Sequence, residues 1–186
     1  DLKEIRGHLQ GNEIITFRKR VEGGVAKIGG NTHRNLLLDI ISICRPAFVD
    51  IEISTLESFP IIVDSLRNTN SRLIASSHDF TKTEQTSDLA KLVKNSIDHY
   101  SPHFVKVVRK ANEFSDNLRI LSLYKLRDKI RPSKLIAFCS GSLGLFSRIS
   151  CVEFGSPFTY ASLPYERTAP GQLDVGSMKS LLADWR

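Results

Sequence analysis

The chain has 186 residues, 41% of them hydrophobic and 25% charged, with a net charge of +6, which suits one domain with one sizeable core. No apolar run approaches the ~20 residues that span a bilayer, and the opening Asp-Leu-Lys-Glu is unlike a secretory signal. The basic charge is scattered rather than blocked or interleaved with aromatics, which argues against direct nucleic-acid contact. Cys44, Cys139 and Cys151 are odd in number and widely spaced, so a disulfide framework and a zinc cluster are both unfavoured and a reducing, cytoplasmic setting is expected.

Along the chain, short apolar runs alternate with segments of helical period. The first strand is expected over Glu13–Phe17 and the first helix over Asn31–Cys44. Then come a strand at Phe48–Ile53, a helix at Leu56–Asn68, a strand at Arg72–Ser76 and a helix at Gln85–Tyr100. Strands at Phe104–Val108 and Lys134–Cys139 alternate with helices at Asn117–Ile130 and Leu145–Val152. A sixth strand is expected at Pro157–Leu163 and a last helix at Val175–Trp185. Apolar strands without clean alternation, separated by helices, imply a parallel sheet with right-handed crossovers. Six units in 186 residues give about 31 residues per unit, as in a (β/α)8 barrel of roughly 250 residues. The expected fold is therefore a TIM-type α/β barrel, residues 1–186 forming one domain with about six of eight units. A doubly wound sheet is the alternative, but no Gly-x-Gly-x-x-Gly follows the first strand.

In such barrels function gathers at the C-terminal strand ends. The first strand ends in Phe17-Arg18, and Glu22-Gly23-Gly24 follows; Arg18 offers a fork for a carboxylate and Glu22 an acid or orienting group, unless this is only a charged loop. Asp50 and Glu52 in a buried strand require partners and suit a supporting role, either orienting the lysine across the barrel or facing a basic neighbour. His78, just after the third strand, has the residue type most used for proton transfer near neutral pH. His8, His33, His99 and His103 lack such a setting and read as surface or packing residues. Lys106 lies inside Phe-Val-Lys-Val-Val; burial lowers a lysine pKa and frees an amine to attack a carbonyl, the alternative being a snorkelling lysine on an edge strand. Gly141-Ser142-Leu143-Gly144 precedes Ser147-Arg148, and Arg148 can hold a carboxylate or hydroxyls. Arg167-Thr168-Ala169-Pro170-Gly171-Gln172 reads as a turn that closes over a polyhydroxylated ligand.

With those residues in place, the chain resembles the type I 3-dehydroquinate dehydratases along essentially its whole length. The matching segments are Thr16-Phe17-Arg18 with Glu22-Gly23-Gly24, Ser77-His78-Asp79-Phe80, Val105-Lys106-Val107, Ser147-Arg148 and Ala169-Pro170-Gly171-Gln172. The resemblance implies that Lys106 forms an imine with the substrate ketone, that His78 is the general acid–base and that Glu22 hydrogen-bonds this machinery. It implies that Arg148 binds the substrate carboxylate, while Arg18, Thr168 and Gln172 hold hydroxyls or close the lid. Thr168 stands where bacterial relatives usually have serine. The implied reaction is the dehydration of 3-dehydroquinate to 3-dehydroshikimate, without a metal or organic cofactor.

The family has two further strands before the segment with which this chain starts, the second carrying a Glu and an Arg that help hold the ligand. An incomplete wall leaves open edges, so a homodimer or a swapped arrangement is expected. Two functions follow. The reading favoured on sequence is a sensing domain of a fungal quinate-pathway transcription repressor, which binds the metabolite without turnover, works in the nucleus and can engage an activator protein. The alternative is an active dehydratase or a fragment of a multidomain shikimate-pathway enzyme, which retained Lys106, His78, Glu22 and Arg148 favour. A generic sugar-phosphate lyase or aldolase is permitted by the fold but is disfavoured by the Ala169–Gln172 segment and the arginine set.

Overall fold

A computed structural model of the chain describes residues 1–183 except 26, 167 and 170. Arg167 and Pro170 of the expected closing turn, and the last residues of the expected C-terminal helix, lie outside the described residues. Five parallel strands run in sequential order: β1 (Ile14–Thr16), β2 (Phe48–Glu52), β3 (Arg72–Asp79), β4 (Phe104–Lys110) and β5 (Lys134–Ser140). Sequential parallel order is what right-handed βα repeats give when each strand is laid beside the last, and the sheet is an arc of a barrel wall. The expected strands from Phe48, Arg72, Phe104 and Lys134 start at those residues, and β3 continues to Asp79, taking in His78.

The helices on the convex side are α2 (Gly30–Asp39), α3 (Ile53–Ser58), α4 (Ile61–Arg67), α5 (Thr86–Tyr100), α6 (Ser115–Leu121) and α7 (Leu145–Ser150). The first expected helix ends in a wider turn over Ile40–Cys44. The single helix expected over Leu56–Asn68 is two, because Pro60 cannot continue α3 and instead opens α4. The helix expected over Asn117–Ile130 tightens at Ser122–Leu126. There the Tyr124 hydroxyl donates to the Ala137 carbonyl at 3.0 Å and accepts from the Ala137 N–H at 2.8 Å, pinning that turn to β5. An additional N-terminal helix, α1 (Leu2–His8), is started by Asp1, whose carboxylate accepts from the N–H groups of Lys3 and Glu4. Asp1 and Glu4 form a capping box.

The sixth strand expected at Pro157–Leu163 does not form. Its ladder-like contacts with the later chain are two isolated pairings, Ser162 with Asp174 and Leu163 with Glu166, before α8 (Val175–Ala183). Pro157 has no N–H to donate, and side chains hold the segment instead: Thr159 Oγ1 donates to the Arg148 carbonyl at 2.5 Å. Its alternate aromatics still turn toward the core. Phe158 packs edge-on against Phe104 at 5.4 Å, and Phe104 stacks on Phe48 at 5.2 Å. This aromatic floor closes the concave side beneath the strand ends. On the helix side, Val105 and Val107 of β4 and Leu135 and Ala137 of β5 pack with Leu89, Val93 and Ile120; Val49 and Ile51 of β2 pack with Leu37, Leu56 and Ile62. The three cysteines are buried and unbridged.

Candidate active site

Side chains of a strand alternate between faces. Val105 and Val107 face the helices, so Lys106 faces the concave side, where it is 7% exposed. The register sets Lys106 beside Ser76 on β3, Ser76 beside Glu52 on β2, and His78 beside Val108. Asp50 and Glu52 share the parity of these inward positions. Consecutive strands thus deliver Asp50, His78 and Lys106 to one surface.

Asp50 is the hub. Its Oδ2 accepts from Lys106 Nζ at 2.9 Å and its Oδ1 lies 2.8 Å from Arg18 Nη2. Burial alone raises the Asp50 pKa, but Lys106 and Arg18 overcome it and hold the carboxyl well below its ordinary value. Lys106 is pulled below the usual lysine value chiefly by burial, with Asp50 acting in the opposite direction. The Tyr160 ring centre is 4.3 Å from its ammonium, a favourable cation–π distance. Arg18 also donates to Ser76 Oγ at 2.6 Å. Glu52 accepts from the Lys19 N–H at 2.6 Å and from Thr55 Oγ1 at 3.0 Å, which fixes the backbone just after Arg18. Gly24 is required in that loop, since a Cβ there would collide with the Arg18 carbonyl.

His78 is anchored by Glu22, whose Oε2 accepts from the His78 backbone N–H at 3.0 Å and stands 3.3 Å from Nδ1. Ser54 Oγ donates to the other carboxylate oxygen at 3.1 Å. Burial alone raises the Glu22 pKa, but these bonds bring it below its ordinary value. An ionised Glu22 favours the tautomer with the proton on Nδ1, leaving Nε2 as a base. Burial lowers the His78 pKa to about 4, against the opposing pull of Glu22.

Arg148, from α7, is 2% exposed. Its guanidinium lies over the Phe138 ring at 4.5 Å, its Nε has no hydrogen-bond partner among the described residues, and burial lowers its pKa to about 10. Gln172 Oε1 accepts from both the N–H and the hydroxyl of Thr168 at 3.0 Å, which knits the loop that follows the missing sixth strand. Gly171 has φ +70°, and a Cβ there would strike the Gly141 carbonyl, so this loop rests on the turn after β5.

All seven residues singled out from the sequence, Arg18, Glu22, His78, Lys106, Arg148, Thr168 and Gln172, line one cavity of about 300 Å³. The same cavity is walled by Phe80, Val108, Phe138 and Tyr160, none of which had been assigned a role. The tie between Asp50 and Lys106 is the supporting contact expected for the acids of β2. The other histidines take surface, packing or local roles: His8 is exposed, His33 Nε2 bonds the Phe17 carbonyl, His99 Nδ1 the Asn95 carbonyl, and His103 packs on Phe104. Among the described residues, no group of three or more His, Cys, Asp or Glu is placed to hold a metal, and no helix is long and apolar enough to cross a membrane.

A family model for type I 3-dehydroquinase matches residues 1–184. The 3-dehydroquinate dehydratase of Dehalococcoides mccartyi is 36% identical over 168 residues, covering 89% of this chain and 72% of that protein. That of Thermococcus gammatolerans is 34% identical over 169 residues, covering 91% and 75%. In structure, the chain is similar to the 3-dehydroquinate dehydratase of Geobacillus kaustophilus, with TM-score 0.84 and 23% identity over 92% of this chain and 66% of that one. It is also similar to the dehydroquinate dehydratase and shikimate dehydrogenase of S. pombe AroM, with TM-score 0.73 and 26% identity over 90% of this chain and 31% of that one. The chain therefore spans about two thirds to three quarters of the length of the single-activity dehydratases.

Proposed function

We propose that this chain, which belongs to the type I 3-dehydroquinase family, dehydrates 3-dehydroquinate to 3-dehydroshikimate through an imine on Lys106. One observation carries the reading. Lys106 and Arg148 are both buried in one small cavity, and among the described residues the Arg148 guanidinium has no acid paired with it. A buried, uncompensated guanidinium calls for a carboxylate, and a buried amine with a lowered pKa calls for a carbonyl. A small keto acid meets both needs.

The neutral Lys106 amine adds to the ketone carbon, and the carbinolamine loses water to give an iminium. That cation acidifies the adjacent C–H. His78 Nε2 removes this proton, and the electron pair moves toward the iminium nitrogen. The pair then returns to form the new C=C as the β-hydroxyl leaves; His78 returns the proton to it, so water departs. Hydrolysis of the conjugated iminium frees the enone and restores the amine. A histidine with a pKa near 4 is a neutral base at pH 7, and Glu22 keeps its ring in place. Asp50 stays beside the nitrogen through the cationic stages. Arg148 fixes the ring by its carboxylate, and the Thr168–Gln172 pair borders the mouth.

The sensing-domain reading favoured on sequence, with its nuclear setting and activator partner, gives way to the enzyme reading. The relatives reported above are dehydratases, and the enzyme reading is supported by the His78–Glu22 pair lining the same cavity as Lys106. Borohydride trapping with 3-dehydroquinate followed by mass spectrometry, together with an assay of enone absorbance, tests the proposal. We expect an adduct on Lys106, and turnover abolished in Lys106→Ala. No adduct would defeat the imine; an adduct without turnover would restore the sensor. The homodimer remains part of the proposal, since β1 has a ladder partner on one side only; light scattering gives the mass directly.

A further inference from the structure

Arg109 is a buried cation that the proposed chemistry does not use. It is 3% exposed and shares the helix-side parity of Val105 and Val107, on the face opposite Lys106. It is not among the described residues that line the cavity. Its guanidinium is fixed at both ends. Nε donates to Glu84 Oε2 at 2.7 Å, in the loop between β3 and α5, and Nη2 donates to Ser77 Oγ at 3.1 Å. Nη1 donates to two backbone carbonyls at 2.9 Å each, those of Ser77 on β3 and Val108 on β4. The register sets His78 beside Val108, so the guanidinium clips the two strands together at the level of His78. The Ser77 carbonyl and the His78 N–H belong to one trans peptide group and point in opposite directions. Arg109 therefore holds the carbonyl of that peptide while Glu22 accepts from its N–H at 3.0 Å, and the same Glu22 oxygen stands 3.3 Å from His78 Nδ1. A cation on the carbonyl also makes the N–H a stronger donor to Glu22. The bond to Glu84 balances the buried charge; the bonds to Ser77 and Val108 fix the backbone that carries His78.

We infer that Arg109 is a positioning residue for the proton transfer: by clamping the peptide between Ser77 and His78, it sets where His78 Nε2 meets the substrate C–H. The inference rests on the proposed dehydratase reading. A displacement of about 1 Å in a reacting group costs on the order of 100-fold in rate. Arg109 acts from outside the cavity and through His78, so it serves the proton transfers and not the imine, whose lysine is held separately by Asp50.

The test is Arg109→Lys, which keeps a cation for Glu84 but cannot bridge Glu84, Ser77 and Val108 at once, because an ammonium is a single point of donors and not a fork. A second variant, Ser77→Ala, removes only the acceptor of Nη2 and leaves the charge pair in place. The readouts are kcat and KM for 3-dehydroquinate and the fraction of Lys106 trapped by borohydride at saturating substrate, all taken below each variant's melting temperature. We expect kcat to fall by about one to two orders of magnitude in Arg109→Lys and about two- to fivefold in Ser77→Ala. KM should stay within about twofold of wild type, and the trapped fraction should hold or rise, since the imine forms and then waits for the proton to leave. Unchanged kcat in Arg109→Lys would overturn the inference and leave the dehydratase reading standing. A trapped fraction that falls in step with kcat would make Arg109 a brace for the whole site and overturn it too. If Arg109→Lys does not fold, Ser77→Ala decides alone, with unchanged kcat as the refuting result. A wild type that does not turn over 3-dehydroquinate defeats the dehydratase reading itself and takes this inference with it.

Discussion

Replacing Asp50 by Asn changes shape very little and removes one buried negative charge. Two cations depend on it, Lys106 at 2.9 Å and Arg18 at 2.8 Å. At an effective dielectric of ~20, each contact has a gross attraction of about 6 kcal/mol, most of it offset by the cost of desolvating the ions. The net loss on breaking such a buried pair is about 3–5 kcal/mol, which for a domain of this size lowers the melting temperature by roughly 10 °C or more. The pH dependence identifies the partner. Asp50 holds the Lys106 pKa up against burial, so in Asp50→Asn the folded-state lysine pKa drops further below its unfolded value. Between the two values the unfolded chain binds more protons, and stability rises with pH. The deficit measured by denaturant unfolding should therefore be largest near pH 7 and shrink toward pH 10, as Lys106 sheds its proton in the variant. Arg18 does not titrate there and leaves a residual deficit. A deficit below about 1 kcal/mol, or one of equal size at both pH values, would refute the assignment of Asp50 as the buried counter-ion of Lys106.

Three further outcomes follow from the same geometry. His78 has its pKa lowered from 6.5 to about 4, so the unfolded state takes up this proton first; stability should fall as pH drops from about 6.5 and level off below about 4, by about 3 kcal/mol in all. The difference between wild type and His78→Asn across that window isolates it. Arg148→Met should leave the ligand-free protein as stable as wild type or more so, since it removes a buried cation with no acid paired to it among the described residues; KM for 3-dehydroquinate should rise by about two orders of magnitude, measured by steady-state kinetics. Gly171→Ala places a side chain at φ +70° against the Gly141 carbonyl; it should cost about 1–3 kcal/mol in thermal unfolding and raise KM by displacing the Thr168–Gln172 pair.

The polar residues were easier to read in the sequence than the walls around them. Lys106 stood out because a cation inside an apolar strand is costly, and Asp50 and Glu52 because two acids in another such strand need partners. The register that joins them is set by strand pairing, which single residues do not encode. The sixth strand was misread because Pro157–Leu163 has the apolar aromatics of a strand but, from Pro157 onward, not its hydrogen bonding. The helix expected over Leu56–Asn68 overlooked the break that Pro60 imposes, and the tightening after Leu121 had no local signal, since it depends on a tertiary bond from Tyr124 to β5. Phe80, Phe138 and Tyr160 carried no signal as cavity residues, because an inward aromatic looks like core until the cavity beside it is seen.

Among the described residues, the ionic pairing of the cavity explains where the unmatched charge of Arg148 is. The acids beside Lys106 and His78 are already engaged: Asp50 by Lys106 and Arg18, Glu52 by the Lys19 backbone and Thr55, and Glu22 by His78 and Ser54. Arg148 reaches none of them, since α7 brings it in beside Phe138. A ligand carboxylate is then its available counter-ion, and binding there replaces a destabilising burial with a charge-assisted pair. The same carboxylate would also draw Lys106 toward its charged form if it settled beside the amine, which would suppress attack. Placing the arginine away from the Asp50–Lys106 pair separates the two tasks: the anion is held at one place while the amine, still under the pull of burial, remains free to give up its proton at another.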